Sequence, residues 1–504
     1  VLERAKSLLS VVLFVVLLGV TCGGQTTPSS ARETIQLDTG APLTPFPHFW
    51  EKMFGSGRAV LALRDSYMRD LEMVRSATGF EYVRFHGIFD DDMGVYDEDP
   101  TGHPVYNFSY VDQVYDGLLS HHVRPFVELG FMPRKLAAKP ILHPFWYKPS
   151  PSPPKDYGKW DGLISAFADH LIERYGIEEV SQWYFEVWNE PNIDFWAGEP
   201  KQATYFEFYD HTARALKAES PRLRVGGPAT AQAAWVDTFI RHATEAGVPA
   251  DFVSTHVYAN DAAQDVFGTD ELLPRDQMVC RAVKKVHEQI TSSAKPNLPL
   301  IWSEYNASYK NEPDVTDAPF MAPWLADTIN KCNGLTDAMA YWSFSDVFDE
   351  QGVVRQPFYG GFGLVAEGGI PKPAYNAFLL LHKLGNKRVR DASQSALVTR
   401  REDGSWAIAL WNLSAESGNR TKQFLVRLPR GLHVQQVRVS FVDETHGNAL
   451  PAYKTMNSPQ YPTASQIQKL KQAAQLPPAQ PRQIKDGSVT LEITSPGLAL
   501  LEIR

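Results

Sequence analysis

Along the first three-quarters of the chain, short apolar runs alternate with amphipathic stretches; beyond that, closely spaced apolar runs are separated only by turn residues. The runs at 81–86, 123–129, 183–189, 223–228, 252–258, 300–304 and 338–344 are rich in Val, Ile, Phe, Tyr and Trp, which predicts buried strands. Apolar residues recur at helical spacing over 160–175, 206–218, 234–246 and 278–292, which predicts helices between them. A strand near 57–63 completes a set of eight, and a last helix runs from 371 to about 384. Strand and helix in strict alternation predict the α/β class and a (β/α)₈ TIM barrel over 46–384. A doubly wound sheet would want a Gly-rich phosphate turn after its first strand; the glycines at 360–363 lie late, in a loop, and read as turn chemistry. The runs at 396–400, 406–412, 423–428, 434–442, 488–493 and 498–503 predict an antiparallel β-sandwich over 385–504, with a helical insert near 465–475 between prolines.

Two of the barrel runs end on a carboxylate. Residues 183–189 lead into Asn189-Glu190-Pro191-Asn192, where Pro191 has no N–H with which to continue a ladder. Residues 300–304 end on Glu304. The C-terminal ends of the strands are where such a barrel presents reactive groups. Two carboxylates there suit glycoside hydrolysis, in which one carboxyl protonates the leaving oxygen and the other attacks or activates water.

The composition, 43% hydrophobic and 21% charged, is that of a folded globular chain, and 504 residues suffice for more than one domain. The net charge of −9 and the lack of a long basic run argue against a nucleic-acid partner. The 12% aromatic share suits a carbohydrate site, since sugar C–H faces pack on rings, although large cores use aromatics too. Arg4 and Lys6 precede an apolar stretch at 8–20, so residues 1–24 read as a signal peptide and 25–45 as a linker. Cys22 sits where a bacterial lipoprotein carries its lipid, so membrane attachment there and ordinary cleavage nearby both stay open. Either implies export to the periplasm, the cell surface or the medium. A disulfide between Cys280 and Cys332 also stays open, but each reads as helix core, which is the preferred reading. No spacing of Cys or His suggests a metal site, and no cofactor motif stands out. His121 and His122 are adjacent near a helix end and read as surface.

The stretch Trp-Tyr-Phe-Glu-Val-Trp-Asn-Glu-Pro-Asn at 183–192, with Phe195-Trp196, resembles the acid/base signature of glycoside hydrolase family 39, and more narrowly its β-xylosidase branch. Residues 82–96, 125–133, 341–346, 360–364, 371–375 and 456–459 are similar to further motifs of that branch, in order along the chain. The resemblance implies a retaining, exo-acting enzyme that releases β-D-xylose from xylosides, without cofactor or metal. It implies Glu190 as acid/base, Glu304 as nucleophile and Asn189 at the sugar 2-OH. It puts His86, His256, Tyr258, Tyr309, Trp342 and Glu350 around the sugar, while Arg84 lies on a neighbouring strand and could hold the nucleophile. Asp349 differs in length from the carboxylate usual at its position. Glu128 and Glu186 are strand carboxylates given no catalytic role. Other specificities of the family stay open: arabinopyranosidase, glucosidase, galactosidase or iduronidase. So does an inactive surface carbohydrate-binding protein, and so does an oligomer.

Overall fold

A computed structural model describes residues 31–390, 393–413 and 420–504. The signal-peptide and Cys22 expectations lie outside the described residues. Eight parallel strands close into a barrel in chain order: Met53–Arg58, Tyr82–His86, Arg124–Glu128, Tyr184–Glu186, Arg224–Thr230, Phe252–Tyr258, Leu300–Asn306 and Ala338–Tyr341. Below they are the first to eighth barrel strands. The first strand lies earlier than expected, and the apolar residues after it form a 3₁₀ turn, Ala59–Leu63. At the N-terminal end of the barrel, Met53, Phe126, Phe252, Ile301 and Ala340 pack with Tyr82 and Tyr184. That layer plugs the bottom, so polar side chains can converge only at the opposite end.

The accessory domain is a two-sheet sandwich. Its seven-stranded sheet contains Ala396–Arg400, Trp406–Asn412, Gly497–Ile503 and Val437–Val442. Within Trp406–Asn412, Trp406, Ile408 and Leu410 join the sandwich core, while Ala407, Ala409 and Trp411 join the barrel's core. Alternate side chains point to opposite faces, so one strand braces both domains.

The expected linker is instead structural from residue 31. Ala31–Gln36 pairs in parallel with Thr421–Arg427, and Leu43–Pro45 pairs antiparallel with Lys387–Val389. Of this segment Ile35 and Leu37 are buried in the sandwich core and Leu43 packs against it, a weak pattern, and the partner of Ala31–Gln36 lies hundreds of residues away. The helical insert, Ala464–Ala474, packs through Leu470 and Ala474 on Phe358, Ala366 and Ile370 of the long loop after the eighth strand.

Cys280 and Cys332 form a disulfide between the helices Arg275–Thr291 and Met321–Cys332. This overturns the preference for two unpaired core thiols. Both cysteines are buried helix residues as expected, but the two helices are neighbours around the barrel, and their buried faces bring the thiols together. Closing a loop across 52 residues contributes about 4 kcal/mol by the chain-entropy argument. The double variant Cys280→Ser, Cys332→Ser is therefore expected to melt several degrees lower by scanning calorimetry. An unchanged melting temperature would show that the bridge contributes nothing to stability.

Candidate active site

Asn189 and Glu190 follow the fourth barrel strand and Glu304 lies in the seventh, so all three reach the C-terminal mouth. Glu190 has φ 46° and Trp188 φ 73°, left-handed values that a residue with a Cβ adopts at a cost. The surroundings hold this turn: Glu190 N–H donates to Ala229 C=O at 2.8 Å, and Trp188 Nε1 donates to Phe195 C=O at 2.8 Å. One oxygen of Glu190 lies within 4.8 Å of an oxygen of Glu304.

The two carboxyls sit in different surroundings. Glu304 Oε1 accepts from Arg84 Nη1 at 2.6 Å, and Oε2 accepts from the Tyr258 hydroxyl at 2.7 Å. Two donors, one of them a guanidinium, suit a carboxylate anion. Burial pushes the Glu190 carboxyl well above its ordinary range, and the nearby Glu304 and Asp261 push it further. His256 Nδ1 lies 2.9 Å from Glu190 Oε1, and its Nε2 lies 3.1 Å from Ser303 Oγ. Burial depresses the pKa of this imidazole far enough to keep it neutral. Glu190 therefore has no cation as its direct partner, and the site pairs a proton-bearing carboxyl with a carboxylate held by donors.

Beneath both lies Arg84, fully buried. Its Nε donates to Glu186 at 2.6 Å, Nη1 to Glu304, and Nη2 to Asn189 Oδ1 at 3.0 Å, with Glu128 also 3.0 Å away. The bond to Asn189 occupies the amide oxygen and leaves its NH₂ to turn toward a ligand. Glu128 and Glu186 are direct register partners on adjacent strands. Like charges placed opposite one another are unfavourable, and the Arg84 guanidinium offsets both. The sequence reading assigned these two carboxylates no catalytic role, and their structural one went unread. The signal was available: paired strand-end acids in a barrel interior require a buried cation, and Arg84 is the strand residue that can supply it.

His86, Asn189, Glu190, Tyr258, Glu304, Tyr309, Trp342 and Glu350 all line one cavity of about 360 Å³, with Arg84 and His256 behind its wall. Phe145, Phe195, Phe362, Gln232 and Asp261 also line it and were not anticipated. His86 Nδ1 is 2.6 Å from Glu128, and its Nε2 lies 3.7 Å from Glu350. Burial alone would lower the His86 pKa, but attraction and a hydrogen bond to Glu128, with attraction to Glu304, together outweigh it and the net direction is upward. Burial pushes Glu350 up to about 8; Glu304 and Asp349 add to this and His86 opposes it. Among the described residues, no Lys or Arg lines the cavity.

Asp349 does not line the cavity. It accepts from Arg58 Nε at 3.2 Å and Nη2 at 3.1 Å. Arg58 also pairs with Asp92 and lies 4.4 Å over the Tyr147 ring. One guanidinium thus ties together the loops after the first, second, third and eighth strands. Behind the eighth loop, buried Lys372 sits 2.7 Å from Asp317 and 2.6 Å from Asp346. A Cβ on Gly361 or on Gly363 would come within 2.4 Å of Asp346, so the glycines at 360–363 allow the loop to lie against this pair.

Comparison with known proteins bears on the whole chain. Residues 33–489 match the sequence model of Glycosyl hydrolases family 39. The chain is 40% identical over 461 residues to a beta-xylosidase of Geobacillus stearothermophilus, covering 89% of this chain and 90% of that protein. It is 37% identical over 456 residues to a beta-xylosidase of Caldicellulosiruptor saccharolyticus, covering 88% and 91%. A solved structure of a GH39 beta-xylosidase from Caulobacter crescentus superposes with a TM-score of 0.82 at 36% identity, covering 94% of this chain and all of that one. With the barrel, the facing carboxylates and the match from residue 33 to 489 in agreement, the chain belongs to glycoside hydrolase family 39.

Proposed function

We infer that the protein is a retaining, exo-acting β-xylosidase that frees xylose from the non-reducing ends of xylo-oligosaccharides. The observation that carries this reading is the pair of unlike carboxyls with an oxygen of each within 4.8 Å. Retaining enzymes hold their carboxyls about 5–5.5 Å apart, whereas inverting ones need about 6.5–9.5 Å to admit a water. The names of the Geobacillus and Caldicellulosiruptor relatives support xylose as the sugar. The loops that Arg58 ties together wall the cavity through Phe145 and Glu350, which supports exo action, because a chain end fits a walled pocket and a polymer running through it does not.

In this reading a Glu304 oxygen attacks C1 while the Glu190 proton passes to the leaving oxygen, so the C1–O bond breaks and a glycosyl-enzyme ester forms. Glu190, now ionised, then takes a proton from water as that water attacks C1 and expels Glu304. The Asn189 NH₂ is the donor or partner at the 2-OH, held in place by the bond from Arg84 to its oxygen. Arg84 and Tyr258 keep their hold on Glu304, positioning it for attack.

The test is stereochemical. Hydrolysis of an aryl β-xyloside followed by proton NMR is expected to show β-xylose first, with the α-anomer growing in only by mutarotation. The α-anomer as first product would overturn the double displacement.

A further inference from the structure

We propose that the outer face of the accessory domain's smaller sheet, which carries Arg32, Arg427, Arg430 and Lys485, docks on an anionic lipid surface.

The smaller sheet consists of Ala31–Gln36, Thr421–Arg427 and Ser488–Thr494. Its inner side chains, among them Ile35, Phe424 and Leu491, meet Trp406, Ile408 and Leu410 of the larger sheet, whose opposite face packs on the barrel. The smaller sheet is therefore the outermost layer, and its outer face points away from the barrel. Alternation along the strands puts Arg32, Gln36, Arg427 and Thr490 on that face. Arg430 follows the second of these strands and Lys485 precedes the third. With Arg32 and Arg427 they line one open groove of about 810 Å³.

Two features set this face apart. Its cations are unpaired, whereas exposed cations on the barrel sit beside carboxylates, as Arg174 does with Asp116 at 2.5 Å and Arg222 with Glu178 at 2.5 Å. None of the four has an ion-pair partner among the described residues, and they outnumber the acids of the face, Asp486 and Glu492. The accessory domain is also basic within an acidic protein. Residues 385–504 hold sixteen Lys and Arg against nine Asp and Glu, while the whole chain has a net charge of −9. A negatively charged surface attracts the sandwich and repels the barrel, which turns this layer toward it.

The course of the chain agrees. Arg32 lies on the first described strand, and Cys22, the candidate lipid site of the sequence, stands nine residues before Ala31. Nine residues span at most about 30 Å. A lipid there holds the strand that carries Arg32 within that distance of a bilayer. The groove itself selects the kind of partner. Among the described residues no aromatic ring lines it, and a ring is the platform on which a sugar chain packs. Guanidinium and ammonium groups without rings suit lipid phosphates.

The experiment measures sedimentation of the full chain with vesicles of phosphatidylcholine alone and of phosphatidylcholine mixed with phosphatidylglycerol. Every arm carries Cys22→Ala, so that no attached lipid contributes. The otherwise unchanged chain is expected to partition about a hundredfold better onto the charged vesicles. That preference is expected to vanish in salt near 1 M, where charges are screened within about 3 Å. Arg427→Gln, Arg430→Gln and Lys485→Gln together are expected to remove it, at about fivefold for each cation near the surface. The three side chains are exposed and make no hydrogen bond among the described residues, so the variant folds, and its kcat/KM on aryl β-xyloside should not change. Equal partition with and without the three substitutions, or equal partition onto the two kinds of vesicle, would overturn the proposal. A variant that loses binding to polygalacturonate but keeps its binding to charged vesicles would assign the face to an acidic polysaccharide, and would overturn it as well.

Discussion

Glu304→Ala is expected to lose about 10⁵-fold or more in kcat on every xyloside, whatever its leaving group, because without the carboxylate no glycosyl-enzyme forms. Glu190→Ala is expected to behave differently. On xylobiose or an alkyl xyloside, whose leaving groups need a proton, it should fall about 10³–10⁴-fold. On a dinitrophenyl xyloside the first step should survive, because that leaving group departs as an anion. The second step then limits the rate, since no base remains to activate water. Azide needs no such base, so it should restore turnover of Glu190→Ala and yield the β-xylosyl azide. The assignment follows from the surroundings of the two groups: Glu190 is pushed toward its protonated form by burial and by Glu304, while Glu304 accepts from Arg84 and Tyr258. If a plot of log kcat against leaving-group pKa had the same slope for both variants, the two roles would be wrongly assigned.

How far the fold could be read before the structure depended on how local each signal was. The strands at 252–258, 396–400 and 406–412 were legible to the residue, since each is a compact β-forming run with turn residues at its ends. The first barrel strand, Met-Phe-Gly-Ser-Gly-Arg, was placed late because two glycines and a serine weaken its pattern, while the apolar turn behind it imitates a strand. The glycines are there for packing: a Cβ on Gly55 would come within 2.1 Å of the Trp342 ring. Ala31–Gln36 was missed because its partner strand lies at the far end of the chain.

The candidate site followed the same rule. Carboxylates that end apolar runs announce themselves, so Glu190 and Glu304 were legible. Glu128 and Glu186 were visible as strand residues, but their purpose depends on register across three strands and on one arginine between them. Gln232 and Asp261 stand on loops whose meeting no local pattern encodes. The cysteines illustrate the limit from the other side. Helix-core burial was legible for each, and the neighbouring helices that join them were not.

Aryl β-D-xylopyranoside is expected to be cleaved at least about a hundredfold better than aryl α-L-iduronide, judged by kcat/KM at one pH. A uronate brings a carboxylate on C5, and a carboxylate leaving water needs a cation or several donors to offset its desolvation. No Lys or Arg lines the cavity among the described residues, and the one imidazole there whose pKa is raised, His86, already faces Glu128 at 2.6 Å. The one guanidinium below it is already shared by Glu128, Glu186 and Glu304. Glu350, pushed up to about 8 by burial, offers a uronate one hydrogen bond at neutral pH and no charge. The deficit is about 3 kcal/mol, which corresponds to the hundredfold. A neutral pentopyranose meets none of this, so some α-L-arabinopyranosidase activity should accompany xyloside cleavage. The pH dependence gives a second reading. Because its pKa is raised, Glu350 is protonated below about pH 8 and becomes an anion above it, where it repels a uronate outright. The preference for xyloside should therefore widen between pH 6 and pH 9. A ratio near one, or one that narrows as the pH rises, would overturn both the choice of substrate and the part given to Glu350.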